Sequence, residues 1–96
     1  MKPTKSYQES LIQSLRDSRE AAEYINAALE EDNLDVFLLA LRNVAEVHGM
    51  TNVSRRAKLN RVSLYRMLSK RGNPEFQSVL QLLNSWGLKL AVQPQG

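Results

Sequence analysis

The sequence predicts an all-α domain of five to six helices built around a helix-turn-helix, and three observations carry that prediction. Helical spacing of apolar residues runs along most of the chain, interrupted at residues suited to caps and turns. The stretch Thr51 to Ser69, TNVSRRAKLNRVSLYRMLS, reads as two short helices around a tight turn. The charge is also divided: from Gly49 onward eight Lys/Arg face one acidic residue, a net +7, whereas residues 1–48 carry five basic and nine acidic residues, a net −4. Two surfaces of opposite sign suggest two kinds of partner.

Tyr7, Leu11, Ile12 and Leu15 place a first helix over roughly residues 4 to 16. Asp17 followed three residues later by Glu20 starts a second, whose apolar side is Ala21, Ala22, Tyr24, Ile25, Ala28 and Leu29. It closes on the acidic run Glu30-Glu31-Asp32, which opposes the helix dipole and so reads as a surface feature. Asp35 is the expected cap of a third helix with Phe37, Ala40, Leu41, Val44 and Val47 inward, and Gly49 ends it. Thr51 is the expected cap of the fourth helix, and Leu59-Asn60 turns into the fifth. Arg71-Gly72-Asn73-Pro74 stops that helix, and Pro74 opens a sixth containing Phe76, Val79, Leu80, Leu82, Leu83 and Trp86. Trp86 suits either the core or an interface. After Gly87, Leu88-Lys89-Leu90-Ala91-Val92 alternates like a short strand. A lone strand needs a partner, so Leu88, Leu90 and Val92 are candidates for pairing across a two-fold homodimer; a plain extended tail is the alternative. Residues 1–17 form an N-terminal helix or arm, and residues 18–96 a single compact domain.

Within Thr51 to Ser69 each apolar position has a use. Val53 faces the second helix, Ser54 and Ala57 are small where the helices touch, Leu59 plugs the turn, and Leu64, Met67 and Leu68 point inward. The opposite face of the second helix then presents Arg61, Val62, Tyr65, Arg66 and Ser69. Arg61 and Arg66 suit bidentate bonds to guanine and Val62 a thymine methyl, making these three the candidate base readers. Thr51, Asn52, Asn60, Ser63, Tyr65, Lys70, Arg71 and Asn73 surround them as candidate phosphate contacts, several at helix N-termini. Lys58 stands where such a turn commonly has Gly: either it bears a left-handed backbone or the turn takes another shape.

With no cysteine there is no disulfide framework and no thiolate zinc site. No apolar run approaches the ~20 residues that span a bilayer, and the N-terminus lacks an apolar signal core, so a cytoplasmic location is expected. His48 is the single histidine and reads as a surface residue near a helix C-terminus. Neither a metal cluster nor a nucleophile–base spacing accompanies it, so neither enzyme activity nor a cofactor is expected.

The blocks SREAAEYINAALEEDNLDVFLLALRNVAEVHGM, LNRVSLYRMLSKRGNPEF and LLNSWGLKLAV cover nearly everything from Ser18 to Val92. In content and spacing they resemble the addiction-module antidote family, small antitoxins with a lambda-repressor-like helix-turn-helix. Lys58 where that family usually has Gly, and Ser54 where it usually has Ala, are departures. The resemblance implies a type II antitoxin that binds a small basic toxin of the RelE/ParE superfamily and represses its own operon on double-stranded operator DNA. By position Asn60, Arg61, Val62, Ser63 and Arg66 match the DNA-reading part of the motif. Glu30, Glu31, Asp32 and Asp35 then become candidates for meeting the basic toxin. A phage-repressor-type regulator without a toxin, or a helical module that only holds the toxin, are the competing readings.

Overall fold

The computed structural model describes the backbone from residue 3 to residue 96 and the side chains from residue 9 onward; Tyr7 lies outside the described side chains. Among the described residues the elements are six helices and no strand: α1 (Pro3–Ser14), α2 (Ser18–Glu30), α3 (Leu34–His48), α4 (Met50–Ala57), α5 (Arg61–Met67) and α6 (Phe76–Ser85). The all-α class is therefore as expected.

α2 starts where its sequence says: extended Asp17 accepts the Glu20 N–H at 3.1 Å, satisfying one free donor of the first turn. The chain leaves α2 through Asp32 at φ 55°, a left-handed position that the short polar Asp tolerates. That reversal lets Asn33, not Asp35, cap α3. The Asn33 Oδ1 accepts from the N–H groups of Asp35 (2.9 Å) and Val36 (3.3 Å), leaving Asp35 inside the first turn. α3 packs against α1, α2 and α4, so its buried surface is wider than one stripe. Leu38, Ala40, Leu41, Val44, Ala45 and Val47 are all buried, while Phe37, expected inward, is only half-buried. The Asn43 Nδ2 donates to the Tyr24 hydroxyl at 2.7 Å and pins α3 to α2.

A single residue, Gly49 at φ 90°, separates α3 from α4, and α4 begins at Met50 without a side-chain cap. Thr51 is thus already inside the helix. At the other end Lys58 adopts φ 59°, ψ 43° and bears the left-handed backbone, at a cost of about 1–2 kcal/mol. Several bonds close this turn. The Lys58 and Leu59 N–H groups donate to the carbonyls of Arg55 (3.4 Å) and Ser54 (3.0 Å), the Ser54 hydroxyl donates to the Leu59 carbonyl, and the Gln81 amide donates to the Ala57 carbonyl at 3.0 Å. The Lys58→Gly variant is expected to be more stable by up to about 1 kcal/mol, and Ser54→Ala less stable by about 0.5–1.5 kcal/mol. Thermal denaturation of the two variants checks this; a lower melting temperature for Lys58→Gly would contradict the assigned strain.

α6 opens at Phe76 behind extended Glu75, two residues later than Pro74 suggested. Phe76 is 66% exposed rather than inward, whereas Val79, Leu82 and Leu83 are buried. The helix closes with the Gly87 N–H on the Asn84 carbonyl (2.9 Å) and the Leu88 N–H on the Leu83 carbonyl (2.9 Å), Gly87 supplying φ 77°. Trp86 belongs to the core at 6% exposure and stacks on His48, ring centroids 5.9 Å apart and 19° from parallel. Its indole N–H is buried without a partner among the described residues. His48 is therefore no simple surface residue: burial, and then the charges of Arg16 and Arg56, hold its pKa below the usual value. The Ser18 hydroxyl donates to the Trp86 carbonyl at 3.0 Å, joining the start of α2 to the end of α6.

Leu88–Val92 is not in a strand, and no described residue of this chain lies beside it as a ladder partner; the pairing expected from the sequence is with a second copy. Leu88 instead packs on the chain's own core, and the tail runs beside Leu29 and Asn26 of α2 with Leu90 half-exposed and Val92 99% exposed.

Candidate nucleic-acid interface

α4 and α5 form the helix-turn-helix, and burial sorts their residues as the spacing predicts. Val53, Ala57, Leu64, Met67 and Leu68 are buried, Leu59 is partly buried against the same core, and Arg61, Val62, Ser63, Tyr65 and Arg66 face outward. A helix of only seven residues does not hold itself together in water. α5 is held by Leu64 at 0% exposure and by its cap. Asn60 is extended, and its Oδ1 accepts the N–H groups of Val62 (2.8 Å) and Ser63 (3.3 Å). Asn60 therefore spends its side-chain oxygen on the helix and keeps only its amide N–H₂ for other partners.

On the outer face Val62 is 64% exposed, an apolar residue with no role in the core. The Arg61 guanidinium carbon sits 5.9 Å from the centre of the Tyr65 ring, one helical turn on. That arrangement orients the guanidinium and gives Tyr65 a role as its platform. Arg66 lies on the same outward face.

The chain after α5 returns against it because Gly72 can approach closely: a Cβ there would overlap the Met67 carbonyl. This close return makes a cleft of about 390 Å³ between α5 and the start of α6, lined by Ser63, Arg66, Arg71, Asn73 and Pro74 among others. Ser63, Arg66, Arg71 and Asn73, all expected at the nucleic acid, thus share one cleft. Ser78 and Glu75 line it too and were not anticipated; Glu75 is the one acidic residue of the basic half. Thr51 and Asn52 lie at the far end of the motif. Asn52 is engaged within its own helix, its Nδ2 donating to the His48 carbonyl (3.5 Å) and its Oδ1 accepting from Arg55 (2.9 Å). Lys70 turns to a different groove, beside Asp35, Val36 and Leu39 of α3. Glu30, Glu31, Asp32 and Asp35 are all exposed around the α2–α3 turn. No helix among the described residues is long and apolar enough to cross a membrane.

A six-helix domain whose α4 and α5 form a helix-turn-helix, with an outward arginine- and valine-bearing second helix, defines the class. More narrowly, residues 5–94 match the family model described as "Probable addiction module antidote protein", and the chain belongs to that family. A relative from Haemophilus influenzae, described as an uncharacterized protein, is 35% identical over 83 residues, 86% of this chain and 86% of its own. No solved structure gives a significant match. Membership supports an antitoxin role and, in general terms, a toxin partner.

Proposed function

We propose that this chain is the antitoxin of a type II toxin–antitoxin module, acting in the cytoplasm. It neutralises a RelE/ParE-like toxin by direct binding and represses its own operon by sequence-specific binding to double-stranded operator DNA. The observation that supports the DNA half best is the division of α5 into two faces. Leu64 and Met67 are buried while Arg61, Val62 and Arg66 are exposed, and Arg66 shares a cleft with Ser63, Arg71 and Asn73. Exposed donors at bases and flanking cations at phosphates are the two components of site-specific recognition. Thr51, Asn52, Asn60, Tyr65 and Lys70 complete the proposed phosphate contacts. Glu30, Glu31, Asp32 and Asp35 are the proposed acidic contacts to the toxin. The acting form is a homodimer, with Leu90 and Val92 of the exposed tail at its interface and Leu88 anchoring that tail to the core.

The DNA claim is tested by titrating the protein onto its own upstream DNA at increasing salt. A dimer with ~6–10 phosphate contacts loses ~10³–10⁵ in affinity between roughly 50 and 200 mM salt. Absence of site-specific binding at low salt would reject operator recognition. Truncation after Gly87 is expected to give a monomer with weaker DNA binding; a truncated chain that stays dimeric by light scattering would move the interface elsewhere.

A further inference from the structure

α3 leaves two of its leucines outside, Leu34 at its first residue and Leu39 in its body. Leu39 is 55% exposed, in a helix whose neighbouring residues Leu38 and Ala40 are buried. Two clefts meet at this side chain. One, about 350 Å³, lies between the first turns of α3 and the end of α5, with Val36, Leu39 and Leu68 as its apolar lining. The other, about 240 Å³, lies between α3 and α2 and is lined by Tyr24, Ala28, Val36 and Leu39. Val36 and Leu39 belong to both, so the two form one apolar trough crossing α3.

The rim of this trough is charged unevenly. Asp35 edges the first cleft and Glu31 the second, with Glu30 and Asp32 beside them in the same turn. None of the four carboxylates is ion-paired among the described residues. Arg42, on the same rim, is paired with Glu46 at 3.5 Å, which leaves Lys70 as the one uncompensated cation there among the described residues. An apolar trough edged by free carboxylates complements a cationic protein surface with an apolar ridge.

We infer that this trough is the seat of the basic toxin, an inference that rests on the antitoxin reading above. An apolar side chain of the toxin packs against Leu39 and Val36 at the centre, and its Lys and Arg residues meet Glu31, Asp35 and their acidic neighbours at the edge. The centre supplies the slow dissociation and the carboxylates the fast encounter.

Two variants at Leu39 test this, because both replacements favour helix and the site is half open to solvent. Binding is measured to the purified product of the gene adjacent to this one, the proposed toxin. Leu39→Glu is expected to weaken it by about 30-fold or more, because a charge replaces the apolar side chain at the centre. Leu39→Lys is expected to weaken it about a further tenfold, because it sets a cation against a cation. Operator binding by both variants stays at the level of the parent chain. Three results would overturn the trough while leaving the antitoxin reading intact. The first is retention of binding by both variants within about threefold. The second is equal or better binding by Leu39→Lys than by Leu39→Glu. The third is light scattering in which the variants turn a dimeric chain monomeric with toxin binding unchanged, which would make the trough a self-interface. Failure of the parent chain to bind the adjacent gene's product overturns the antitoxin reading itself, and the trough with it.

Discussion

On the proposed operator reading, replacing Arg61 and Arg66 together by alanine is expected to weaken binding at each operator half-site by about 30- to 10⁴-fold, since a bidentate arginine–guanine pair contributes ~1–3 kcal/mol. Both side chains are exposed and outside the core. Within the chain the double replacement removes the Arg61 guanidinium from the Tyr65 ring, so stability should change by no more than about 1 kcal/mol. The diagnostic quantity is the ratio of operator to random-duplex affinity. Loss of base readers collapses that ratio. An Arg71→Ala variant, removing a cation from the neighbouring cleft, should instead weaken both duplexes alike and reduce the salt slope by about one. Should the double arginine variant lose affinity equally for both duplexes, Arg61 and Arg66 hold phosphate and the bases are read elsewhere on α5. Tyr65→Phe should preserve the ratio, because the ring that supports Arg61 remains.

The helix-turn-helix was legible because its constraints are local. Val53, Ala57, Leu64 and Met67 follow from helical spacing within nineteen residues, and once they point inward the outward face of α5 is fixed. The features that escaped depend on how remote pieces meet. Phe37 and Leu38 are equally apolar, and only the packing of α1, α2 and α4 around α3 decides that Leu38 is the more buried. Asp35 carries the usual capping side chain, but the left-handed Asp32 brings the chain round sooner and gives the cap to Asn33. The strand expected at Leu88–Val92 has the alternation of a strand but no ladder within the described chain, and a pattern of side chains does not supply backbone partners. Trp86 and His48 lie at the ends of different helices and acquire their environment from each other. The trough at Leu39 is the same kind of feature: its walls come from α2, α3 and the end of α5, and no single segment announces it.

The strain at Lys58 has a physical counterpart at Ser54. A lysine in the left-handed region carries strain that glycine would avoid. A serine four residues earlier carries a hydroxyl that alanine would lack, and it donates that hydroxyl to the carbonyl of Leu59, the residue after the strained one. Leu59 is thereby held through both its N–H and its carbonyl by Ser54. One added hydrogen bond contributes about 0.5–1.5 kcal/mol, the same order as the strain. The two effects are therefore of opposite sign and similar size, and the turn keeps its shape.

The Leu64→Ala variant is expected to lose about 2–5 kcal/mol of stability, because Leu64 is fully buried and its truncation leaves a cavity under α5. For a chain of this size that lowers the melting temperature by roughly 10–30 °C. DNA binding should fall as well, although Leu64 faces away from any duplex. α5 has seven residues and only Met67 buried besides Leu64, so its folded fraction falls. Apparent affinity then scales with that fraction. Such a loss differs in kind from removal of Arg66. The phosphate contacts of the folded fraction are unchanged, so the salt slope stays that of the parent chain while the affinity drops. Hydrogen exchange locates the damage: amides of α5 should exchange faster than those around Leu82 and Leu83 in α6. Equal acceleration throughout would mean that α5 unfolds only with the whole domain, and the loss of DNA binding would then report global stability. Local loss would show that the aim of the recognition surface depends on one leucine seated between α4 and the core.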